Sequence, residues 1–264
     1  MDLTHPFKDK CSPDELLGDG IKNEKCVLLN TFCARLEWFA AQNKVRLDPD
    51  AVKGDGLELL VEFLIKWMGT DNRIGITDYK VVPITDDRGV DGVGISTLNL
   101  RPKTVQVKYR QADHILTATK DNLMGFAFRS LKEFKVLVTD DKNMLILSTA
   151  KEMCWYTEDQ MFRGSVQVIC RDDLRGLVDS RLGFWEEFYK SWQESRIRTK
   201  KVEPKVLREH QDEAVDAVFS AMKHGIQKGI IECPTGTGKS LIQSEIVRRL
   251  FQPSQLNPNL PPQL

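Results

Sequence analysis

Net charge is what this sequence most plainly lacks: 38 lysines and arginines stand against 38 aspartates and glutamates, a formal charge of +0. So balanced a chain has no global field to attract polyanions, and any nucleic-acid contact must come from a local basic patch. Paired cysteines are lacking too. The six cysteines (Cys11, Cys26, Cys33, Cys154, Cys170, Cys233) contain no Cys-x-x-Cys, and none of the four histidines sits at ligand spacing from one. This excludes the zinc-ribbon and zinc-finger patterns and suits reduced thiols in an intracellular protein. No apolar run is long enough to span a bilayer, and Met1-Asp2-Leu3-Thr4-His5-Pro6 has no basic segment leading into an apolar one. The expectation is a soluble cytoplasmic chain without a membrane partner. No internal repeat is present.

What is there is an ordinary globular composition, 41% hydrophobic and 29% charged, sufficient for one large domain or two small ones. From about Asn23 to Gln42, Val27, Leu28, Phe32, Leu36 and Phe39 fall at helical spacing. A second helix is expected from near Asp55 through Leu59, Leu60, Phe63, Leu64 and Trp67, with Gly69 as its stop. The period then shortens. Strands are expected at Tyr79–Ile84 and Gly89–Ile95 around an Asp86-Asp87-Arg88-Gly89 turn, and at Thr104–Arg110. A helix over Asp121–Glu133 is followed by strands at Phe134–Thr139, Met144–Thr149 and Val166–Cys170, then helices at Arg171–Val178 and Phe184–Ser195. The order is that of a mixed α/β arrangement around a central sheet.

Three short segments in this frame carry chemistry: Gly54-Asp55-Gly56-Leu57-Glu58, Gly89-Val90-Asp91-Gly92-Val93-Gly94 and Val105-Gln106-Val107-Lys108-Tyr109. Phosphodiester hydrolysis needs an activated water and relief of phosphate charge, both of which a divalent cation supplies. Magnesium takes hard oxygen ligands, and one or two carboxylates suffice. Asp91, between glycines, is the first candidate ligand. Glu58 is expected to complete the set, with the Val107 carbonyl as a third ligand and Glu62, one turn on, in reserve. Gln106 and Lys108 lie two apart on a strand and so share a face, with Val107 directed to the core. Lys108 suits the orienting of water or the stabilising of phosphorane charge. Taken singly, each piece also reads as a solvated helix face, a turn or the wet side of a strand.

In this order the three segments resemble the PD-(D/E)XK nuclease superfamily, nearest its Mrr-like branch, over roughly residues 50 to 180. The resemblance implies a restriction-endonuclease-like fold, a mixed central sheet flanked by helices. It also implies a catalytic set of Glu58, Asp91, Gln106 and Lys108, a Mg2+ (or Mn2+) cofactor and DNA as substrate. Val90 stands where the superfamily has its proline, and Gln106 where many members have a carboxylate.

A second signal lies downstream. An apolar strand, Gly229-Ile230-Ile231-Glu232, is expected to run into Cys233-Pro-Thr-Gly-Thr-Gly-Lys-Ser240, and a helix to leave through Leu241, Ile242, Ile246 and Leu250. Thr235, Gly236, Thr237 and Gly238 form a backbone cradle for phosphate, with Lys239 for the β/γ phosphates and Ser240 for Mg2+. Pro-Thr-Gly-x-Gly-Lys-Ser resembles the first ATPase motif of superfamily 2 helicases, and Leu207-Arg-Glu-His-Gln211 their adenine-sensing segment. The resemblance implies ATP as cofactor and Gln211 at the adenine. A complete RecA-like domain needs motifs not found here, so the expectation is a truncated strand–loop–helix segment belonging to a longer nuclease–helicase. Its partner would be the rest of the motor, and no ATP turnover is expected from this chain.

The division expected is 1–50 an N-terminal helical segment, 51–195 the nuclease-like domain, 196–206 a basic linker, 207–252 the helicase segment and 253–264 a proline-rich disordered tail. The linker reads equally as a solvated loop or a phosphate-contacting strip. His114 reads as a surface histidine sooner than a substrate contact. Trp155-Tyr156 and the Phe184–Trp192 aromatics read as core sooner than stacking platforms. The leading function is a metal-dependent DNA endonuclease of a restriction, phage or mobile-element system, where double-strand cutting would call for a homodimer. The alternatives are an inactive docking module for the motor and, more remotely, an ATP-binding protein in its own right.

Overall fold

The computed structural model describes residues 1–18, 28–83, 89–137, 141–156, 160–199, 207–226, 228–230, 232 and 238–251. The expected helix start at Asn23, the turn at Asp86–Arg88, most of the basic linker, the loop residues Thr235, Gly236 and Thr237, and the tail lie outside them. The chain divides into two compact units, Met1–Lys201 and Val202–Leu264.

The first unit opens with α1 (Phe7–Lys10), a π-helical turn at Asp14–Gly18, α2 (Leu29–Gln42) and α3 (Pro49–Met68). Helix α3 begins at Pro49 rather than near Asp55. Asp48 accepts a hydrogen bond from the Asp50 amide at 3.1 Å, and Pro49 supplies a φ already suited to a first helical residue. The helix ends at Gly69, the expected stop, where φ is −57°.

Strands β1 (Ile76–Val81), β2 (Gly92–Ser96) and β3 (Pro102–Lys108) form an antiparallel meander. A short strand β4 (Ile115–Thr117), helix α4 (Leu123–Lys132) and strand β5 (Met144–Ser148) follow. Then come β6 (Glu152–Cys154), α5 (Gln160–Ser165), β7 (Val166–Ile169), α6 (Arg171–Val178) and α7 (Phe184–Thr199). The main sheet runs β1-β2-β3-β5-β7, antiparallel on its first half and parallel from β3 onward. The expected mixed sheet flanked by helices is thus the fold of this unit. Strands β4 and β6 pair in parallel apart from it, a pairing too short to read from sequence.

Alternation along β3 and β5 sends successive side chains to opposite layers. Val105, Val107, Leu145 and Leu147 join α1, α2, α3 and α7 in the larger core, whereas Met144 and Ile146 join Val90, Phe126 and Val166 against α4. Aromatics at helical spacing on α7 clasp the first layer. Phe184 and Phe188 each lie 5.2 Å from Phe63 of α3, and Trp192 lies 6.1 Å from Phe7 of α1. These aromatics are core, as expected. Of the other pair, Trp155 is half-buried and Tyr156 is 48% exposed. The first fifty residues are not a separate layer, because Leu3, Phe7, Leu16, Phe32 and Leu36 belong to the main core.

Two expected strands are not formed over their described residues. Described residues Phe134–Leu137 are irregular: Lys135 has φ +58°, and the Val136 amide turns back to the Ser130 carbonyl at 3.0 Å. In the second unit, Gly229, Ile230 and Glu232 have no strand structure. A strand persists only in a ladder, and that unit offers no partner strand among its described residues. It holds α8 (Glu209–Lys223) and α9 (Lys239–Phe251), with Val215 and Ile242 buried and Arg249 of α9 bonded to Asp212 and Asp216 of α8.

Glu62, fully buried on α3, ties down the N-terminus. It accepts from the Thr4 amide (2.7 Å), the Thr4 hydroxyl (2.6 Å), the His5 amide (2.9 Å) and Lys66 (2.6 Å). Glu62→Ala leaves these donors orphaned and should cost about 2–4 kcal/mol in chemical denaturation. A loss below about 0.5 kcal/mol would refute this role. Burial pushes the Cys33 thiol up to about 11, so the folded state keeps a proton that the unfolded state releases above pH 9. Its contribution is full below that pH and is lost as pH rises to about 11. Relative to Cys33→Ala, the native chain should lose about 1.4 kcal/mol more per pH unit across that window, and parallel pH curves would contradict it.

Candidate active site

Strands β2 and β3 pair up to Gly92–Val105 and then part. Asp91 sits at the parting. Its amide donates to the Val105 carbonyl at 2.9 Å, and its carboxylate accepts from the Val107 amide at 2.5 Å. The side chain thereby takes the place that the next ladder bond would have had. Because the N–H and C=O of one strand residue point the same way, the Val107 carbonyl is directed to the Asp91 side. Gly92 is required here, since a Cβ would collide with the Tyr79 ring.

Helix α3 faces this parting, and the cleft between them has a volume of about 480 Å³. Its wall includes Glu58, Asp91, Val107 and Lys108, the expected metal ligands and lysine. Gln106 is not on that wall. It is 1% exposed, lies against Gly89, and its Oε1 has no hydrogen-bond partner among the described residues. Strand alternation puts Gln106 on the Lys108 side, but the sheet keeps it a step too deep to reach the cleft. Glu62 is not on the wall either, because its oxygens serve Thr4, His5 and Lys66.

The wall also holds Asp50, Lys53 and Arg110, which sequence reading passed over. Asp50, Gly54 and Glu58 recur every four residues, so helical spacing from Glu58 would have found Asp50. Arg110 lies two beyond Lys108, and strand alternation would have found it. Three basic and three acidic side chains thus line the cleft. A larger cavity, about 880 Å³, lies in the second unit and is lined mostly by apolar residues such as Ala214, Val218 and Ile246. It contains none of the expected site residues.

Glu58 has a partner that no local pattern announced. His5 Nε2 lies 2.9 Å from its carboxylate. The Phe7 amide donates to His5 Nδ1 at 3.2 Å, so a neutral ring carries its proton on Nε2 and donates it to Glu58. Asp55, paired with Lys10 at 2.6 Å, brings a third ligand-type atom within 4.8 Å of the other two. With its far nitrogen already accepting a bond, His5 orients Glu58 and is a poor ligand. The hard oxygens of Glu58, Asp91 and the Val107 carbonyl are the donors that fit Mg2+ or Mn2+.

In the second unit Gln211 is buried and its Oε1 accepts from the Arg208 amide at 2.9 Å. Gly238 has φ +87°, and a Cβ on it would lie 2.5 Å from Gln211 Nε2. The last loop glycine and the expected adenine-sensing glutamine are therefore neighbours. Lys239 and Ser240 open α9 and are exposed. His114, in the first unit, is engaged by Asp121 at 3.1 Å, as suits a satisfied histidine.

Residues 204–259 match the family model "Type III restriction enzyme, res subunit". The match covers the segment in which the helicase resemblance was read, a minority of the chain. Among solved structures, metal-depleted Ecl18kI in complex with uncleaved, modified DNA aligns with 91% of this chain and 74% of its own, at 13% identity and a TM-score of 0.28. That superposition is loose. No curated protein matches the chain.

Asp91→Ala removes the acceptor of a buried backbone donor and should cost about 1–3 kcal/mol. Asp91→Asn can keep an oxygen on the Val107 amide and should cost less. Denaturation curves that rank the two variants the other way would refute the capping bond.

Proposed function

We propose that the first unit is a metal-dependent DNA endonuclease and that residues 207–252 begin the ATP-driven motor of a restriction, phage or mobile-element system. One observation carries the nuclease reading. A helix carboxylate, a strand-end carboxylate, a strand carbonyl and a lysine meet in a single cleft where two strands part. Glu58, Asp91 and the Val107 carbonyl would hold Mg2+ or Mn2+. When bound, such an ion activates water and draws charge from the scissile phosphate. Lys108 then orients the attacking water and balances charge on the phosphorane. Asp91 is held by Val107, and Glu58 by His5, so both carboxylates are fixed before substrate arrives. In the second unit the pairing of Gln211 with Gly238 and the match to the restriction family support an ATP site completed by Lys239 and Ser240.

A docking module without catalysis is the second reading. It is favoured by the absence of Gln106 from the cleft wall and by the structural bonds that both carboxylates already make.

The test is cleavage of supercoiled plasmid and of single-stranded circular DNA with Mg2+ or Mn2+. Nicking or linearisation should stop in EDTA and fall at least about 100-fold in Asp91→Asn and in Lys108→Ala. Equal cutting by either variant would sink the site. Retarded but uncut DNA would favour the docking module, or a nuclease that needs the rest of its motor.

A further inference from the structure

Arg110 has no role in the expected catalytic set, yet it lines the same cleft. Its Nε donates to Asp121 at 2.7 Å and its Nη1 to the Tyr109 carbonyl at 2.8 Å. Asp121 is 2% exposed and also receives the Thr117 amide (2.9 Å) and His114 Nε2 (3.1 Å). Burial alone would raise the Asp121 pKa, but the Thr117 amide and the Arg110 guanidinium outweigh it and hold the carboxyl below its ordinary range. A buried, ionised anchor therefore fixes the guanidinium at Nε, while the Tyr109 carbonyl fixes it at Nη1. The acceptor is buried while the arginine side chain stays 32% exposed. Its Nη2 donors have no partner among the described residues. At the cleft mouth Asp50 is held low, first by its bond to and the charge of Lys53 and in smaller part by the charge of Arg110. The guanidinium and Asp50 line the same cleft.

An arginine pinned at Nε and at Nη1 leaves Nη2 as an always-charged donor with two hydrogens, suited to phosphate oxygens. We propose that Arg110 is a phosphate-binding residue of this cleft, gripping the nucleic-acid backbone beside the phosphate that Glu58, Asp91 and Lys108 surround. Asp121 is its positioning residue, with His114 closing the network from behind. This rests on the reading of the cleft as a phosphodiester site.

Fluorescence anisotropy of a short dye-labelled DNA duplex in EDTA, across a KCl series, tests it without cleavage. Arg110→Ala should weaken binding roughly tenfold and lower the slope of log affinity against log salt by about one. Arg110→Lys keeps a cation against Asp121 and serves if the alanine variant unfolds. It should keep the salt slope but bind severalfold more weakly, because a single ammonium held by Asp121 has no second nitrogen to offer the phosphate. Wild-type affinity and slope in folded Arg110→Ala, wild-type affinity in Arg110→Lys, or no duplex binding by the native chain would each overturn the assignment. The nuclease reading fails separately: an Arg110 effect on binding, with no cutting in Mg2+, leaves the phosphate site standing without catalysis. Metal-dependent cutting with an unmoved Arg110→Ala affinity does the reverse.

Discussion

One hydrogen bond organises the first unit's chemistry: the Asp91 carboxylate on the Val107 amide. Two antiparallel strands that part leave orphan amides on their inner edges, and an orphan amide away from water costs as much as a lost hydrogen bond. Here a side chain fills the gap. Because it does, β3 can run on past its partner, pair only with β5, and carry Lys108 and Arg110 to the carboxyl end of the parallel half of the sheet. Crevices at such strand ends are where open α/β sheets bind ligands.

Helix α3 supplies the opposite wall. Glu58 and Glu62 are one turn apart, and helical geometry alone would assign them the same task. The N-terminal segment separates them. The backbone at Thr4 and His5 saturates Glu62, while the His5 ring reaches Glu58. One carboxylate is thereby spent on holding the chain, and the other is oriented toward the cleft. The segment itself is fixed from the far side by α7, where Trp192 donates to the Lys8 carbonyl at 3.0 Å and Ser195 accepts from the Leu3 amide at 2.8 Å. Core packing and site geometry are therefore mechanically joined through residues 3 to 8.

The charge balance seen in the whole sequence recurs in the cleft. Lys53, Lys108 and Arg110 offset Asp50, Glu58 and Asp91. Side chains of both signs thus line one cleft, with no net charge among these six. Lys53 pairs with Asp50 at 2.7 Å, and Arg110 with the buried Asp121. Of these three cations, Lys108 is the one with no acidic partner among the described residues.

Sequence by itself determined the periodic parts. The alternation of β3 and β5, the helices Arg171–Val178 and Phe184 onward, and the order of the Glu58, Asp91 and Lys108 segments were all legible, because each depends on neighbours within a turn or a pleat. The helicase-like segment was legible for the same local reason, and the family match falls on it. Only tertiary structure decided that Gln106 lies below the cleft, that Glu62 serves the N-terminus, and that His5 and Arg110 belong with the site. Those outcomes turn on which distant segment arrives first at a given oxygen: His5 and Glu58 are 53 residues apart in the chain, Leu3 and Ser195 are 192. No periodicity encodes such meetings. They follow from the joint packing of α1, α3 and α7, and from buried polar groups that must each find a partner.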